Sequence, residues 1–184
     1  NRMAVEMKEI IAEAAWTLLF EKKVKKLTIK DIVEECHITR QAFYYHFEDI
    51  PDLMRWQLKQ GARKLMEECL KKQDLESGLR YLTAVAVSVK PYVERGIQTN
   101  YGTEMEQLIE EAVYELAERI AEKEHLYESV SHKDLRLILK FHVHGMMGIL
   151  KEWTPEDTKQ MDHIVHEIYL LMNGKITPFS EKES

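Results

Sequence analysis

The chain has 184 residues, a formal net charge of −6 and 32% charged residues, with seven Gly, four Pro and two Cys. That balance excludes a polycation that binds nucleic acid over its whole surface, and the few chain breakers beside aliphatic residues at helical spacing favour an all-α protein. No run approaches the roughly 18 apolar residues of a membrane span and no signal peptide opens the sequence, so a cytoplasmic protein with no membrane partner is expected, its Cys36 and Cys69 reduced.

Charge is unevenly spread. Residues 1–60 hold 10 Lys/Arg and 10 Asp/Glu, whereas residues 61–184 hold 16 and 22. A neutral head on an acidic body turns the head, weakly, toward DNA.

In chain order, residues 5–22 predict a first helix with Ile11, Ala14, Ala15, Leu18 and Leu19 as its buried stripe. The run Lys22–Lys26 follows, four cations around a Val24 that tucks into the small core. Both a solvated loop and a phosphate contact fit those cations. Thr28 to Phe47 then reads TIKDIVEECHITRQAFYYHF. Thr28 with Asp31 forms a capping-box pattern, and Ile29, Ile32 and Val33 share a helical face. The pattern stops at Cys36, His37 and Ile38. Thr39 is a second N-cap, and Arg40 to His46 supply a second helix. Phe43 and Phe47, four apart, are its only large apolar residues on one side. Arg40, Gln41, Tyr44, Tyr45 and His46 are left on the other, all able to donate hydrogen bonds to phosphates or base edges. Helix, tight turn and polar second helix make a helix-turn-helix, whose second helix enters the major groove. The residues expected at DNA are Thr28, Lys30, Thr39, Arg40, Gln41, Ala42, Tyr44, Tyr45 and His46.

The segment LTIKDIVEECHITRQAFYYHFEDIPDLM, Leu27 to Met54, resembles the DNA-binding domain of TetR-family transcriptional regulators. Within it, TRQAFYYHFEDIPDLMRW is similar to a sub-branch that includes regulators of dihydroxyacetone kinase genes. The family pattern has hydroxyl residues where Thr28 and Thr39 stand, an aromatic at Tyr44, and His-Phe at His46–Phe47. It departs at two places. His37 holds the turn position usually given to Gly, which requires a positive φ. Ile50 stands where a Lys usually opens the fourth helix, removing one phosphate contact.

Further along, Asp49 caps a strut helix from about Ile50 to Lys72, with Pro51 in its first turn and a seam through Leu53, Trp56 or Gln57, Gly61 and Leu65. Asp74 caps a helix that Pro91 is expected to break, leaving Tyr92 to Asn100 short and irregular with Gly96 as a stop. Thr103 and Glu106 can box a helix ending near Glu124. Ser131 with Asp134 opens one through about Lys151. Thr154 caps the last, with Pro155 first and Gly174 beyond its end, and the tail from Lys175 to Ser184 reads as frayed. Nine helices are expected: a helix-turn-helix DNA-binding domain over residues 1–50 and a ligand-sensing and dimerisation domain over 51–184. The resemblance implies the same plan.

Catalysis is not expected. No Gly-rich phosphate loop, HExxH or Cys pair occurs, and the glutamates sit at solvated-face spacing. His163 and His166 share a face but lack a third ligand at set spacing, so neither metal nor cofactor is expected. Trp56, Met66, Tyr81, Tyr92, Tyr101, Met105, His142 and Met146 read individually as core, and together as the lining of an apolar cavity with polar handles; the resemblance implies such a pocket after the strut. Gly145 and Gly148 each cost a helix about 1 kcal/mol relative to Ala, a cost that close helix–helix approach would explain. The resemblance implies a four-helix dimer interface there, with Leu137, Phe141, Gly145, Gly148, Ile149, Ile164, Ile168 and Leu171 as candidates. The expected function is a ligand-responsive DNA-binding regulator, a repressor, whose homodimer binds a double-stranded palindromic operator and answers a small-molecule effector. The alternative is a TetR-like co-regulator or ligand-sensing partner that has lost DNA binding.

Overall fold

The computed structural model describes residues 2–176. Among them every regular element is helical: α1 Arg2–Trp16, α2 Ile29–Glu35, α3 Arg40–His46, α4 Ile50–Cys69, α5 Leu75–Ile97, α6 Gly102–Lys123, α7 His132–Lys151, α8 Pro155–Lys159 and α9 Met161–Met172. The frayed tail expected from Lys175 falls, from residue 177 on, outside the described residues.

Local chemistry explains most of the starts. Thr28 accepts from the Asp31 amide at 3.2 Å, Thr39 from Ala42 at 3.1 Å, Asp49 from Asp52 at 2.7 Å, Asp74 from Ser77 at 2.7 Å and Ser131 from Asp134 at 3.2 Å. Thr154 and Asp157 form a reciprocal capping box with Pro155 at the first position. Each satisfies an amide that the first helical turn leaves without a partner.

Five expectations need correction. The first helix ends α-helical at Trp16 and closes in a π turn over Thr17–Glu21, with Lys22 donating to the Thr17 carbonyl at 2.9 Å. Pro91 does not break α5, which runs on to Ile97. Proline forfeits one hydrogen bond there, and packing of the following turn outweighs the loss: the Tyr92 ring lies 5.1 Å from Trp16 and 5.4 Å from Phe20. Thr103 does not cap α6, which already includes Gly102. The last helix is two, separated at Gln160, so nine arises from a different partition of the chain. Finally, Gly61 is exposed and nothing lies within 4 Å of a β-carbon placed there, so it is not part of the strut seam.

The chain divides into two compact units, one of Asn1–Lys64 with Val89–Glu115, the other of Leu65–Ser88 with Leu116–Ser184. The first has a continuous core of Ile11, Ala15, Leu18, Leu27, Ile32, Phe43, Phe47, Ile50, Leu53 and Leu108, each 6% exposed or less, with Val24 packed at its edge. Full burial of such side chains contributes about 1.5–3 kcal/mol each, which is how three short helices hold together. In the second unit Val165, Leu139, Val143, Trp153 and Ala121 are buried, Arg80 pairs with Asp162 at 2.8 Å, and His166 meets Glu76 at 2.9 Å.

Candidate nucleic-acid interface

The helix-turn-helix is built from its turn outward. His37 has φ +55°. Its amide donates to the Glu34 carbonyl at 3.4 Å, and Ile38 donates to Val33 at 3.0 Å. This is the double bond pattern of a Schellman helix end, with histidine in the left-handed position that glycine usually holds. Two residues on, Thr39 begins α3. The reversal between α2 and α3 is therefore satisfied at both ends by its own backbone and one hydroxyl.

Phe43 and Phe47, 0% and 2% exposed, pin α3 to the core, and Lys8 lies over the Phe47 ring at 4.9 Å. With that side fixed, helical geometry decides what is left outside. Arg40 and Gln41 are exposed, Tyr44 is 57% and Tyr45 83% exposed, and His46 is half-buried with its ring 5.0 Å from that of Tyr45. Tyr44 stands edge-on to Phe43 at 5.7 Å, which orients one phenol without covering it. Among the described residues neither Arg40 nor Gln41 has a side-chain hydrogen bond or ion pair. Their donors face solvent at the first turn of α3. Ala42 is half-buried, Thr39 is exposed, and both serve the cap. Thr28 is half-buried, its hydroxyl 2.5 Å from the Asp31 carboxylate, while Lys30 is exposed and pairs with Glu34 at 3.8 Å.

Of the cation run, Lys22 is paired with Glu35, whereas Lys23, Lys25 and Lys26 are exposed. A shallow groove between this run and α2 is lined by Leu18, Lys22, Asp31, Glu34, Glu35 and His37. Its three carboxylates give it the wrong sign for phosphate. Ile50 is 1% exposed and belongs to the core, so the position where a phosphate-binding Lys would stand is an apolar anchor for α4.

The eight residues grouped as a cavity lining divide between the units. Trp56, Tyr101 and Met105 pack against the core of the first, Trp56 at 5.9 Å from Phe47, and Tyr92 lies tilted against Trp16 and edge-on to Phe20. Met66, Tyr81, His142 and Met146 belong to the second. There the His142 ring is 3.1 Å from the Tyr127 hydroxyl, and burial lowers its pKa. Of the interface candidates, Leu137 is 69%, Phe141 76%, Leu171 58% and Ile149 40% exposed; Ile164 and Ile168 are half-buried. A β-carbon at Gly145 or Gly148 would meet nothing within 4 Å. Among the described residues no close approach accounts for either glycine.

Burial raises the pKa of both Cys36 and Cys69, and both are free thiols. Among the described residues no three His, Cys, Asp or Glu are grouped to hold a metal ion, and no helix is long and apolar enough to cross a membrane.

Two residues with specific contacts to the head escaped the sequence reading. Asn100 accepts from the Leu27 amide at 2.8 Å and donates to the Leu27 carbonyl at 3.2 Å. Arg95 donates to the carbonyls of Leu19, Lys23 and Val24. With more than 70 residues between partners, no local spacing signals either.

Residues 11–55 match the family described as bacterial regulatory proteins, tetR family. No curated protein matches the chain. Among solved structures it is similar to the dihydroxyacetone kinase operon activator DhaS, at 15% identity and TM-score 0.57 over 96% of this chain and 99% of that one. It is also similar to a putative TetR-family transcriptional regulator from Syntrophomonas wolfei, at 18% and 0.56 over 95% and 98%. A third is NalD of Pseudomonas aeruginosa, the secondary repressor of the MexAB-OprM multidrug efflux pump, at 19% and 0.51 over 90% and 95%. At such identities these likenesses establish the fold alone, shared over 90–96% of this chain.

Proposed function

The chain carries, over residues 11–55, the domain of the tetR family of bacterial regulatory proteins, and from that premise we propose that it is a ligand-responsive repressor whose dimer reads a palindromic operator through α3. The observation that carries this is the α3 surface. Two buried phenylalanines hold one side, and the other offers a guanidinium, an amide and two phenols to solvent. Arg40 and Gln41 read base edges; Tyr44, Tyr45, His46 and the exposed lysines set register on phosphates. Two such helices in successive major grooves lie about 34 Å apart, which requires a dimer. Its interface is the exposed stripe of α7 with α9, from Leu137 and Phe141 past Gly145 and Gly148, joined by Ile149, Ile164, Ile168 and Leu171. The effector is a small apolar or aromatic molecule. It acts only by binding the DNA-competent and DNA-incompetent states unequally.

The buried Ile50 favours a second reading, since it removes a phosphate contact: a partner protein that senses ligand without binding DNA. A mobility shift with the DNA upstream of its own gene decides between them. A saturable shift that weakens steeply with added salt supports the regulator. No shift even at low salt supports the partner protein.

A further inference from the structure

The turn between α5 and α6 reaches back to the segment that enters the helix-turn-helix. Asn100 pairs its amide with both polar groups of Leu27, accepting at 2.8 Å and donating at 3.2 Å. Leu27 is 1% exposed, so without Asn100 its amide and carbonyl would be left short of partners in a dry place. The next residue is Thr28, the N-cap of α2. Five residues earlier, in the last turn of α5, Arg95 donates to the Leu19 carbonyl at 3.4 Å, to Val24 at 3.5 Å and to Lys23. Those carbonyls lie where the first helix has ended and can no longer satisfy them. Lys23 also has φ +54°, an uncommon conformation for a residue with a side chain. Both ends of the connection 22–27 are thus held by residues 95–100.

The turn that presents Asn100 is itself rigidly built. Thr99 donates its hydroxyl to the Gly96 carbonyl at 2.7 Å and accepts from the Tyr101 amide at 3.3 Å. Gly102 donates to the Thr99 carbonyl at 3.2 Å. A β-carbon on Gly102 would fall 2.0 Å from the Ile97 carbonyl oxygen, so only glycine closes this corner. Met105 packs over Gly96 from the next turn of α6.

We infer that Asn100, seconded by Arg95, is a positioning residue for DNA binding: it latches the connection 22–27 and thereby sets where α2, and with it α3, begins. This rests on the DNA-reading role of α3 proposed above. Latched, the Thr28 cap has a fixed origin and the α2–α3 pair a fixed pitch. Unlatched, the connection is held only by its own turns and α3 samples orientations that do not fit the groove.

The test uses the full chain and two readouts. Asn100→Ala removes the latch. Ala121→Gly, at a buried position in α6 outside the proposed α7–α9 interface, is a destabilised control. Asn100→Ala should bind the upstream DNA roughly five- to tenfold more weakly, the worth of one or two net hydrogen bonds, while Ala121→Gly binds as the parent does. In amide exchange followed by NMR, Leu27 and Asp31 should exchange several-fold faster in Asn100→Ala and unchanged in the control. Parent-like affinity and parent-like exchange at Leu27 in Asn100→Ala overturn the inference, as does equal weakening in both variants. If the parent itself binds no DNA, the reading of α3 fails, and the exchange rates still decide whether the latch exists.

Discussion

Ile38 donates to the Val33 carbonyl at 3.0 Å, closing a helix end over His37, whose φ is +55°. The left-handed conformation costs a non-glycine residue about 1–2 kcal/mol. Glycine would relieve that but gives up about 0.5–1 kcal/mol of chain entropy. The first effect wins narrowly. His37→Gly should raise the thermal midpoint by roughly 2 °C for a chain of this size, read by calorimetry. A lower midpoint would mean that the imidazole makes a stabilising contact.

Helix starts were legible because a cap acts within three residues of itself. Thr28, Thr39, Asp49, Asp74, Ser131 and Thr154 all start the helices their spacing implied. The exposed side of α3 was legible for a similar reason: Phe43 and Phe47 declare the buried side, and the rest follows from helical geometry. What could not be read is what depends on distant partners. Pro91 looks like a stop in isolation, but Trp16 and Phe20 hold the turn beyond it. Trp56, Tyr101 and Met105 look like pocket lining by residue type, yet they pack on the head.

His142 supplies a pH dependence. Burial lowers its folded pKa below the ordinary 6.5. Above that ordinary value both folded and unfolded chains hold a neutral ring and nothing is lost. As pH falls below it the unfolded chain takes up a proton that the folded one resists, so stability declines from there down through the folded value. Chemical denaturation between about pH 7.5 and about pH 5.5, roughly one unit either side of the ordinary histidine value, should show that decline. His142→Gln should flatten part of it. An identical pH profile in that variant assigns the decline to other groups.

The stripe carrying Phe141, 76% exposed, should be the dimer contact. Phe141→Glu leaves the fold of each chain intact because the ring touches little of the body, and should halve the mass seen by light scattering. A variant that keeps the parent's mass places the interface elsewhere.

Lys25 and Lys26 are exposed beside the helix-turn-helix, whereas Lys22 is tied to Glu35. Changing either exposed lysine to Gln should lower the salt dependence of DNA binding by about one unit of slope, and changing Lys22 should do less. Unchanged slopes for both would leave these cations as plain solvated surface.

Base reading by Gln41 from the first turn of α3 is the centre of the account, and one comparison reaches it directly. Affinities of the parent and of Gln41→Ala are measured on the upstream site and on random-sequence DNA at the same salt. The account predicts a loss of about 1–3 kcal/mol on the upstream site and almost none on random DNA. Equal losses on both, or none on either, would contradict it.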